Sequence, residues 1–390
     1  MRQWRWDRIS VRTAEVRCCR ACQENANWEE IMHKWTSRIL TTLALSVSIT
    51  GTAFAEPFKI GYLLPNPVSE IGWSSELAAG GRALEEHFGD KVELQMIENL
   101  GEGPDSARVM NKMAADGVGM LILGSFAYQQ EGVKLAARYP DLKVVHIGGY
   151  LQGPNFSTLT PRHYEAAYLC GMASGMATET NSLGVIAAFP LPEVLNIMNA
   201  YVLGAQRSNP DIEPVKVIWL NSWFDPANEK ASTESFASQS VDVVFSLFPG
   251  TPAPVVAAEE LGIYVTVTHS DNSRFAPNRH LCAGQLHFGP TLITKVQEAM
   301  DGAFQENDIF AGVQDGTIEA AGLGGPLTQA QKDEILAVQE EMRAGTFNPF
   351  TGPIAAMDGA EMIAAGAALD DGAIKGMNFL VQGINTNLPK

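Results

Sequence analysis

Aromatic rings, carboxylates and amides recur in this sequence just after apolar runs that have the length of buried β-strands. In "GYLLPNPVSEIGW" (61–73), for example, the apolar start is followed by Asn66, Glu70 and Trp73. Flat rings can stack on a planar ligand, while carboxylates and amides bind the hydrogen-bonding groups on its edge. The candidate ligand-binding residues at such positions are Asn66, Glu70, Trp73, Ser125, Phe126, Tyr128, Glu193, Asn221, Trp223 and Asp271.

Each of these positions also has a purely structural interpretation. Trp73 can be a packing residue at the start of a helix, and Asp271 in "SDNS" can form a turn. Asp225 precedes Pro226, which is typical of a helix N-cap followed by proline in the first turn. The sequence by itself leaves both interpretations open for Trp73 and Asp271.

Patterns typical of catalysis or cofactor binding are absent from the sequence. It contains no GxSxG, HExxH, GxGxxG or GxxxxGK[ST] motif. His269 with Asp271, or His287, could act as an acid–base group. Each of these histidines is also consistent with a polar residue that lines a cleft and has no catalytic role. "CCRAC" near the N-terminus has no second ligand pair at zinc spacing. The sequence therefore predicts a protein that is not an enzyme and that has no cofactor and no metal site.

Short apolar runs alternate with longer amphipathic stretches, which predicts βαβ units and parallel sheets. The pattern runs once through the first part of the chain and then restarts, so we expect an α/β protein with two Rossmann-like, doubly wound lobes. A strand pair is expected within 310–324. The predicted strands are 58–64, 91–99, 118–125, 143–150, 182–190, 215–223, 241–248, 263–270 and 280–289. In such a fold the ligand lies between the lobes, at the carboxyl ends of the strands.

The N-terminal region has the features of an export signal. A charged start at Met32 is followed by an apolar run and by the Ala53-Phe54-Ala55 cleavage pattern, so 32–55 is predicted to be a signal peptide. Residues 1–31 would then be an upstream extension. No cysteine follows the apolar run, which favours a periplasmic protein that is not lipid-anchored.

Composition and charge narrow the function further. The 390 residues are 46% hydrophobic, enough for two domains with full cores, and the net charge of −17 argues against a nucleic-acid partner.

Cys170 and Cys282 both lie in apolar stretches, so we expect buried free thiols, with a disulfide as the alternative.

Several segments resemble the basic membrane protein family of ABC-transporter solute-binding proteins. They include "FKIGYLLPNPVSEIGW", "NSWFDPANEKAS" and "TGPI", and the resemblance covers nearly all of 58–390. It implies the type I periplasmic-binding fold, with three hinge crossings and a ligand between the lobes. It also implies that a purine base or nucleoside is delivered to a permease.

The resemblance implies roles for individual residues as well. Glu70 and Trp73 match an acidic residue three before an aromatic, Trp223 matches the aromatic of the second lobe, and Asp271 matches an acidic residue after the sixth strand. Nucleoside-binding members carry a lysine near "AGQLHFG" and an aspartate near "FSLFPGTPA", and neither is present here. These departures remove polarity that would hold a ribose, which favours a free base such as adenine.

Together these observations predict a periplasmic solute-binding protein of an ABC importer, specific for an adenine-like base or a purine nucleoside. The alternatives are a nucleoside-processing hydrolase and a sugar or autoinducer receptor of the same fold. The expected partners are the purine ligand and an ABC permease in the inner membrane, and the protein is expected to be a monomer. The predicted lobes are 56–162 with 287–315, and 163–286 with 316–390.

Overall fold

The computed structural model describes residues 56–69, 71–101 and 103–386. The predicted upstream extension and signal peptide, and the candidate Glu70, lie outside the described residues.

The first lobe is built on a sheet of six parallel strands in the order β11-β5-β4-β3-β1-β2. Its central strands are fully buried, as expected for strands covered by helices on both faces. The strands are β1 (Phe58–Leu63), β2 (Val92–Ile97), β3 (Met120–Leu123), β4 (Lys143–Ile147), β5 (Phe156–Pro161) and β11 (Asp308–Ala311). The helices between the first four strands are α1 (Trp73–Phe88), α2 (Pro104–Ala115) and α3 (Gln129–Arg138).

The second lobe is built on a seven-stranded sheet in the order β12-β10-β9-β8-β6-β7-β15, in which only β12 pairs antiparallel. Its strands are β6 (Leu183–Ala187), β7 (Val215–Trp219), β8 (Val243–Ser246), β9 (Tyr264–His269), β10 (His280–Leu286), β12 (Ile318–Ala321) and β15 (Ile384–Asn385). The helices among β6–β9 are α5 (Pro192–Ser208), α6 (Pro226–Ser238) and α7 (Ala253–Leu261). The expected α/β fold with two doubly wound lobes is confirmed.

The remaining elements connect the lobes or close the chain. They are α4 (His163–Ala177), α8 (Gly289–Met300), α9 (Gln329–Arg343), the two-stranded sheet of β13 (Ile354–Ala355) and β14 (Glu361–Ile363), and α10 (Asp371–Lys375).

The chain passes between the two sheets at three places: from β5 into α4 and β6, from β10 through α8 to β11, and from β11 to β12. The expected strand pair within 310–324 is wrong, because β11 pairs with β5 and β12 pairs with β10. The two apolar segments are close in sequence because the chain crosses there, not because it forms a hairpin. The exact lobe boundaries stay a prediction.

Helix α4 is buried on nearly all sides and packs closely against α5. A Cβ added to Gly171 would lie 2.0 Å from the carbonyl oxygen of Tyr201, and one on Gly204 would lie 2.0 Å from that of Tyr168. Only glycine permits the two backbones to approach so closely. The chain therefore enters the second lobe through a helix that is fixed against its neighbour.

The same helix carries Cys170, whose sulfur is bonded to that of Cys282 in β10. The expectation of free thiols is therefore wrong. Apolar surroundings suit a buried thiol and a buried disulfide equally well, and only the packing of α4 on β10 brings the two cysteines together. The disulfide joins positions separated by 112 residues in sequence.

Removing this disulfide is expected to destabilise the folded protein, because the crosslink restricts the unfolded chain. The double variant Cys170→Ala/Cys282→Ala should lose about 2–4 kcal/mol in free energy of unfolding, measured by urea denaturation. In the chain from Glu56 onward, which carries only these two cysteines, alkylation after denaturation without reductant should modify neither, whereas Cys170→Ala should expose one reactive thiol. Alkylation of both wild-type cysteines under these conditions would contradict the pairing.

Candidate ligand-binding site

A cavity of about 410 Å³ lies where the carboxyl ends of the strands in both sheets meet. On one side it is bounded by the segments that follow β1, β2, β3 and β4, and on the other by those that follow β6, β7 and β8 and by the end of β9. Its described lining residues include Pro65, Asn66, Trp73, Ser125, Phe126, His163, Phe189, Glu193, Asn221, Trp223, Phe224, Phe248, Pro249, Gly250 and His269. This is the location that the parallel topology dictates for a ligand.

Trp73 is the first residue of α1 and forms part of the first-lobe wall. Its indole Nε1 donates a hydrogen bond of 2.6 Å to the carbonyl oxygen of Gly124, directly after β3. Its ring meets Phe288 edge-on, with 5.4 Å between centroids. The side chain is half-buried and lines the cavity. Trp73 therefore has both a packing role and a surface available to a ligand.

Aromatic rings form the second-lobe wall in a continuous series. Trp223 lies 5.1 Å from Phe189 and 5.6 Å from Phe248 between ring centroids, both in edge-to-face geometry. Phe248 in turn stacks on His269 at 4.9 Å. Because His269 also contacts Trp73 at 5.2 Å, the series reaches the first lobe.

Two histidines complete this aromatic wall. His163 begins α4, and His269 is the last residue of β9. Both are buried, and burial lowers the pKa of His163 to about 3 and that of His269 well below its ordinary value. Their imidazole rings are therefore neutral near neutral pH.

Glu193, at the start of α5, contributes the one carboxylate among the described lining residues. Its Oε1 lies 3.7 Å from His163 Nε2, and burial raises its pKa to about 7. No lysine or arginine is found among the lining residues that the structure describes. Arg162 instead pairs with Asp371, and Arg274 lies over the ring of Phe275. The cavity thus suits an uncharged ligand better than an anion.

The structure brings most of the sequence-predicted site residues to this cavity. The predicted residues that line it are Asn66, Trp73, Ser125, Phe126, Glu193, Asn221 and Trp223. Two others lie elsewhere. Tyr128 is fully buried, with its hydroxyl donating to Gly101, and Asp271 is exposed, with its carboxylate accepting from the Ser273 N–H. Asp271 therefore forms a turn, as its structural interpretation predicted. The N-cap interpretation of Asp225 is confirmed, because its side chain accepts a hydrogen bond from the Asn228 N–H.

Comparison with known proteins agrees with this architecture. A family described as PnrA-like ABC transporter substrate-binding proteins, Bmp, matches residues 58–346. The chain belongs to the Bmp family. It is 34% identical over 357 residues to a purine-binding protein of Brucella abortus, covering 90% of this chain and all of that protein.

Two further comparisons extend the Bmp assignment. A Haloferax volcanii protein described as an ABC transporter glucose-binding protein is 27% identical over 343 residues, covering 87% of this chain and 83% of that protein. In fold, the chain resembles a solute-binding protein from Aeropyrum pernix K1, with a TM-score of 0.64, 17% identity and coverage of 75% of this chain and 93% of that one. No helix in the described part of this Bmp chain is long and apolar enough to cross a membrane.

The cavity lining of this Bmp protein also includes residues outside the candidate ligand-binding set, among them His163, Phe248 and His269. Of these, His269 was considered only as a possible acid–base group. Phe248 and His269 could have been found by the rule that selected the others, because each lies at the end of a strand. His163 follows a crossing between the lobes. The strand before that crossing, β5, was not among the predicted strands, so a search for residues after predicted strands does not reach His163. Only the tertiary structure brings it to the cavity.

Hydrogen bonds also join the two lobes beside the cavity. The Gly72 N–H donates to Ser270 Oγ at 2.9 Å, and the Ser270 hydroxyl donates to Glu76 Oε1 at 2.6 Å. Gln285 Nε2 donates to Glu76 Oε2 at 2.9 Å. Burial raises the pKa of Glu76, while the bonds from Ser270 and Gln285 act in the opposite direction.

Gly72 permits this contact between lobes. Its φ of +93° lies in the region that favours glycine, and an added Cβ would lie 2.7 Å from the carbonyl oxygen of Pro249. The hydrogen bonds through Ser270 therefore form where the two backbones touch.

Removing the Ser270 hydroxyl should favour a more open arrangement, because both of its hydrogen bonds cross between lobes. Each lost bond shifts the free-energy difference between the closed and open arrangements by about 0.5–1.5 kcal/mol. Small-angle X-ray scattering of Ser270→Ala should show a larger radius of gyration than the wild type. Ser238→Ala is the control, since that hydroxyl bonds only to Ser235 within α6. Equal radii for Ser270→Ala and wild type would show that these bonds do not hold the lobes together.

Proposed function

We propose that this Bmp protein binds an uncharged purine base, adenine-like, in the cavity between its lobes and presents it to an ABC permease of the inner membrane. The observation that carries the proposal is the wall of aromatic rings from both lobes around polar groups, with no lysine or arginine in the described lining. The purine-binding relative from Brucella abortus, which this chain covers completely, supports the same ligand class.

Stacking supplies the main attraction in this proposal. Trp73 from the first lobe and Trp223 from the second pack against opposite faces of the base. By analogy with bases stacked on aromatic side chains, each contact contributes roughly 1–3 kcal/mol. Since the rings belong to different lobes, binding favours the closed form over the open one.

The polar lining residues orient the base rather than hold it. Asn66 and Asn221 offer amide donors and acceptors, and Glu193 offers a carboxyl group that can accept from ring or exocyclic N–H groups. Glu70 retains its predicted role as a second acceptor. Asp271 is left out of the site, because its exposed carboxylate does not line the cavity.

A free base is favoured over a nucleoside. Gln285 stands in the region where nucleoside-binding members are expected to carry a lysine, and both ends of its amide are already engaged, with Glu76 and with the Asp271 N–H. Gln285 is therefore not available to a ribose. A nucleotide is disfavoured more strongly, because its phosphate would find no cationic side chain among the described lining residues.

The protein acts in this proposal by binding and release, not by chemistry. The signal peptide predicted at 32–55 would export it to the periplasm without a lipid anchor. There it would carry the base as a monomer.

Calorimetry with the mature chain tests the ligand class. Adenine should bind at least tenfold more tightly than adenosine, inosine or ribose, and glucose should bind far more weakly, because the cavity has aromatic walls and its described lining holds one carboxylate and no lysine or arginine for sugar hydroxyl groups. Adenosine recovered after prolonged incubation should be chemically unchanged. Tighter binding of glucose would favour a sugar receptor, tighter binding of a nucleoside would overturn the free-base proposal, and release of free base from adenosine would indicate a hydrolase.

Loss of either stacking ring should weaken binding of adenine. We expect Trp73→Ala and Trp223→Ala each to lower the affinity by about 10- to 100-fold, with a smaller loss in the corresponding Phe variants. The melting temperature of Trp73→Ala should also fall without ligand, because the bond to Gly124 and the contact with Phe288 are lost.

Trp219→Ala is the matched control for these variants. Trp219 is half-buried in β7, bonds to Thr386 and does not line the cavity, so its loss should reduce stability but not the affinity of the folded protein. Near-normal affinity in both Trp73→Ala and Trp223→Ala would contradict the stacking arrangement.

A further inference from the structure

His163 and His269 meet in the wall of the cavity, with 5.3 Å between ring centroids. Each is 1% exposed. None of their four ring nitrogens has a hydrogen-bond partner among the described residues, and Glu193 Oε1 stays beyond hydrogen-bond distance of His163 at 3.7 Å. A buried polar atom without a partner is costly, and native proteins usually avoid it.

Other buried histidines of the same chain do find partners. His146 Nε2 bonds to the carbonyl oxygen of Ser125 at 2.8 Å, and His280 Nδ1 bonds to that of Gly322 at 2.9 Å. Among the described buried histidines, only the two that line the cavity have no hydrogen-bond partner at either ring nitrogen. This difference indicates that their partners come from a bound molecule.

The histidine pair lies between aromatic rings of both lobes. Trp73 of the first lobe is 5.2 Å from His269 and 6.2 Å from His163. Phe248 of the second lobe is 4.9 Å from His269 and 5.6 Å from His163. A planar ligand that lies against these rings would bring its edge to the two imidazoles.

The chemistry of the pair restricts that edge. Each neutral imidazole has one N–H donor and one nitrogen acceptor. His269 also has a φ of +77°, an uncommon conformation for a residue other than glycine, and such conformations concentrate at functional sites. Two neutral imidazoles can therefore satisfy an edge that carries both a donor and an acceptor, and they give no charge attraction to an anion.

We propose that His163 and His269 bind the edge of the base, and that they select a heterocycle presenting an N–H donor beside a ring-nitrogen acceptor. The inference rests on the proposed purine ligand and adds which groups recognise it. His163 directly follows the crossing from β5, so the recognised edge faces the hinge. The pair thus determines which edge of the base is accepted, while the tryptophans stack on its faces.

Substitutions that keep a ring but remove its hydrogen bonds test the proposal. His163→Phe and His269→Phe should each lower the affinity for adenine by about 10- to 100-fold, because a ligand polar group is left buried without a partner. Asn places an amide near the Nδ1 position and Gln near the Nε2 position, so the better of these two should retain more affinity than Phe at each site. His280→Gln, at an equally buried histidine outside the cavity, should bind as the wild type does.

Binding of N-methylated isomers of adenine tests whether the histidines contact one edge of the ligand. In the wild type, methylation of the recognised edge should lower affinity at least tenfold. In the Phe variants this discrimination should shrink to a few-fold, because the groups that detect the methyl are gone. Unchanged discrimination in both variants would overturn the proposal.

Nitrogen NMR of the histidine-labelled wild type gives a result that does not depend on variant folding. Both cavity histidines should show neutral imidazole shifts near neutral pH, and adenine should move their ring-nitrogen signals while leaving those of His280 in place. If adenine binds but neither cavity histidine responds, the proposal fails while the proposed function stands. If no purine binds the wild type, the proposed function fails and this inference fails with it.

Discussion

Parallel pairing of the strands decides where the cavity of this protein lies. A parallel strand can be followed by another only after a crossover, so every strand of a sheet ends at the same edge. The parallel strands of the two sheets therefore present many of their post-strand segments toward one space. Trp73, Phe248 and His269 come from different parts of the chain and meet for this reason.

Helix α4, which follows the first crossing between the sheets, is fixed to the second lobe. Helix α4 packs against α5 through glycines at backbone contact, and its Cys170 is bonded to Cys282 of β10. Rigid packing on this side leaves relative movement of the lobes to the crossing segments. His163 stands at the start of that helix, so a group able to contact the ligand is held by the same element that joins the lobes.

The electrostatics of the cavity follow from burial rather than from charge pairs. The whole chain is strongly acidic, with a net charge of −17, yet the cavity holds neutral imidazoles and a carboxyl whose pKa is raised to about 7. Desolvation disfavours every ionised form, so hydrogen-bond patterns and ring faces are left to discriminate among ligands. A site of this kind suits discrimination among uncharged molecules by shape and by the order of donors and acceptors on their edges.

The fold class and many of the cavity-lining residues follow from the amino-acid sequence alone, because both depend on local patterns. Apolar runs alternating with amphipathic stretches specify parallel sheets, and residues such as Trp73 and Trp223 are found by their place after a strand. Three features could be read only from the folded chain: that Cys170 meets Cys282, that β11 and β12 join different sheets, and that His163 reaches the cavity. Each of these depends on contacts between segments far apart in sequence, and nothing in the local pattern of hydrophobicity records which distant segment a residue will face.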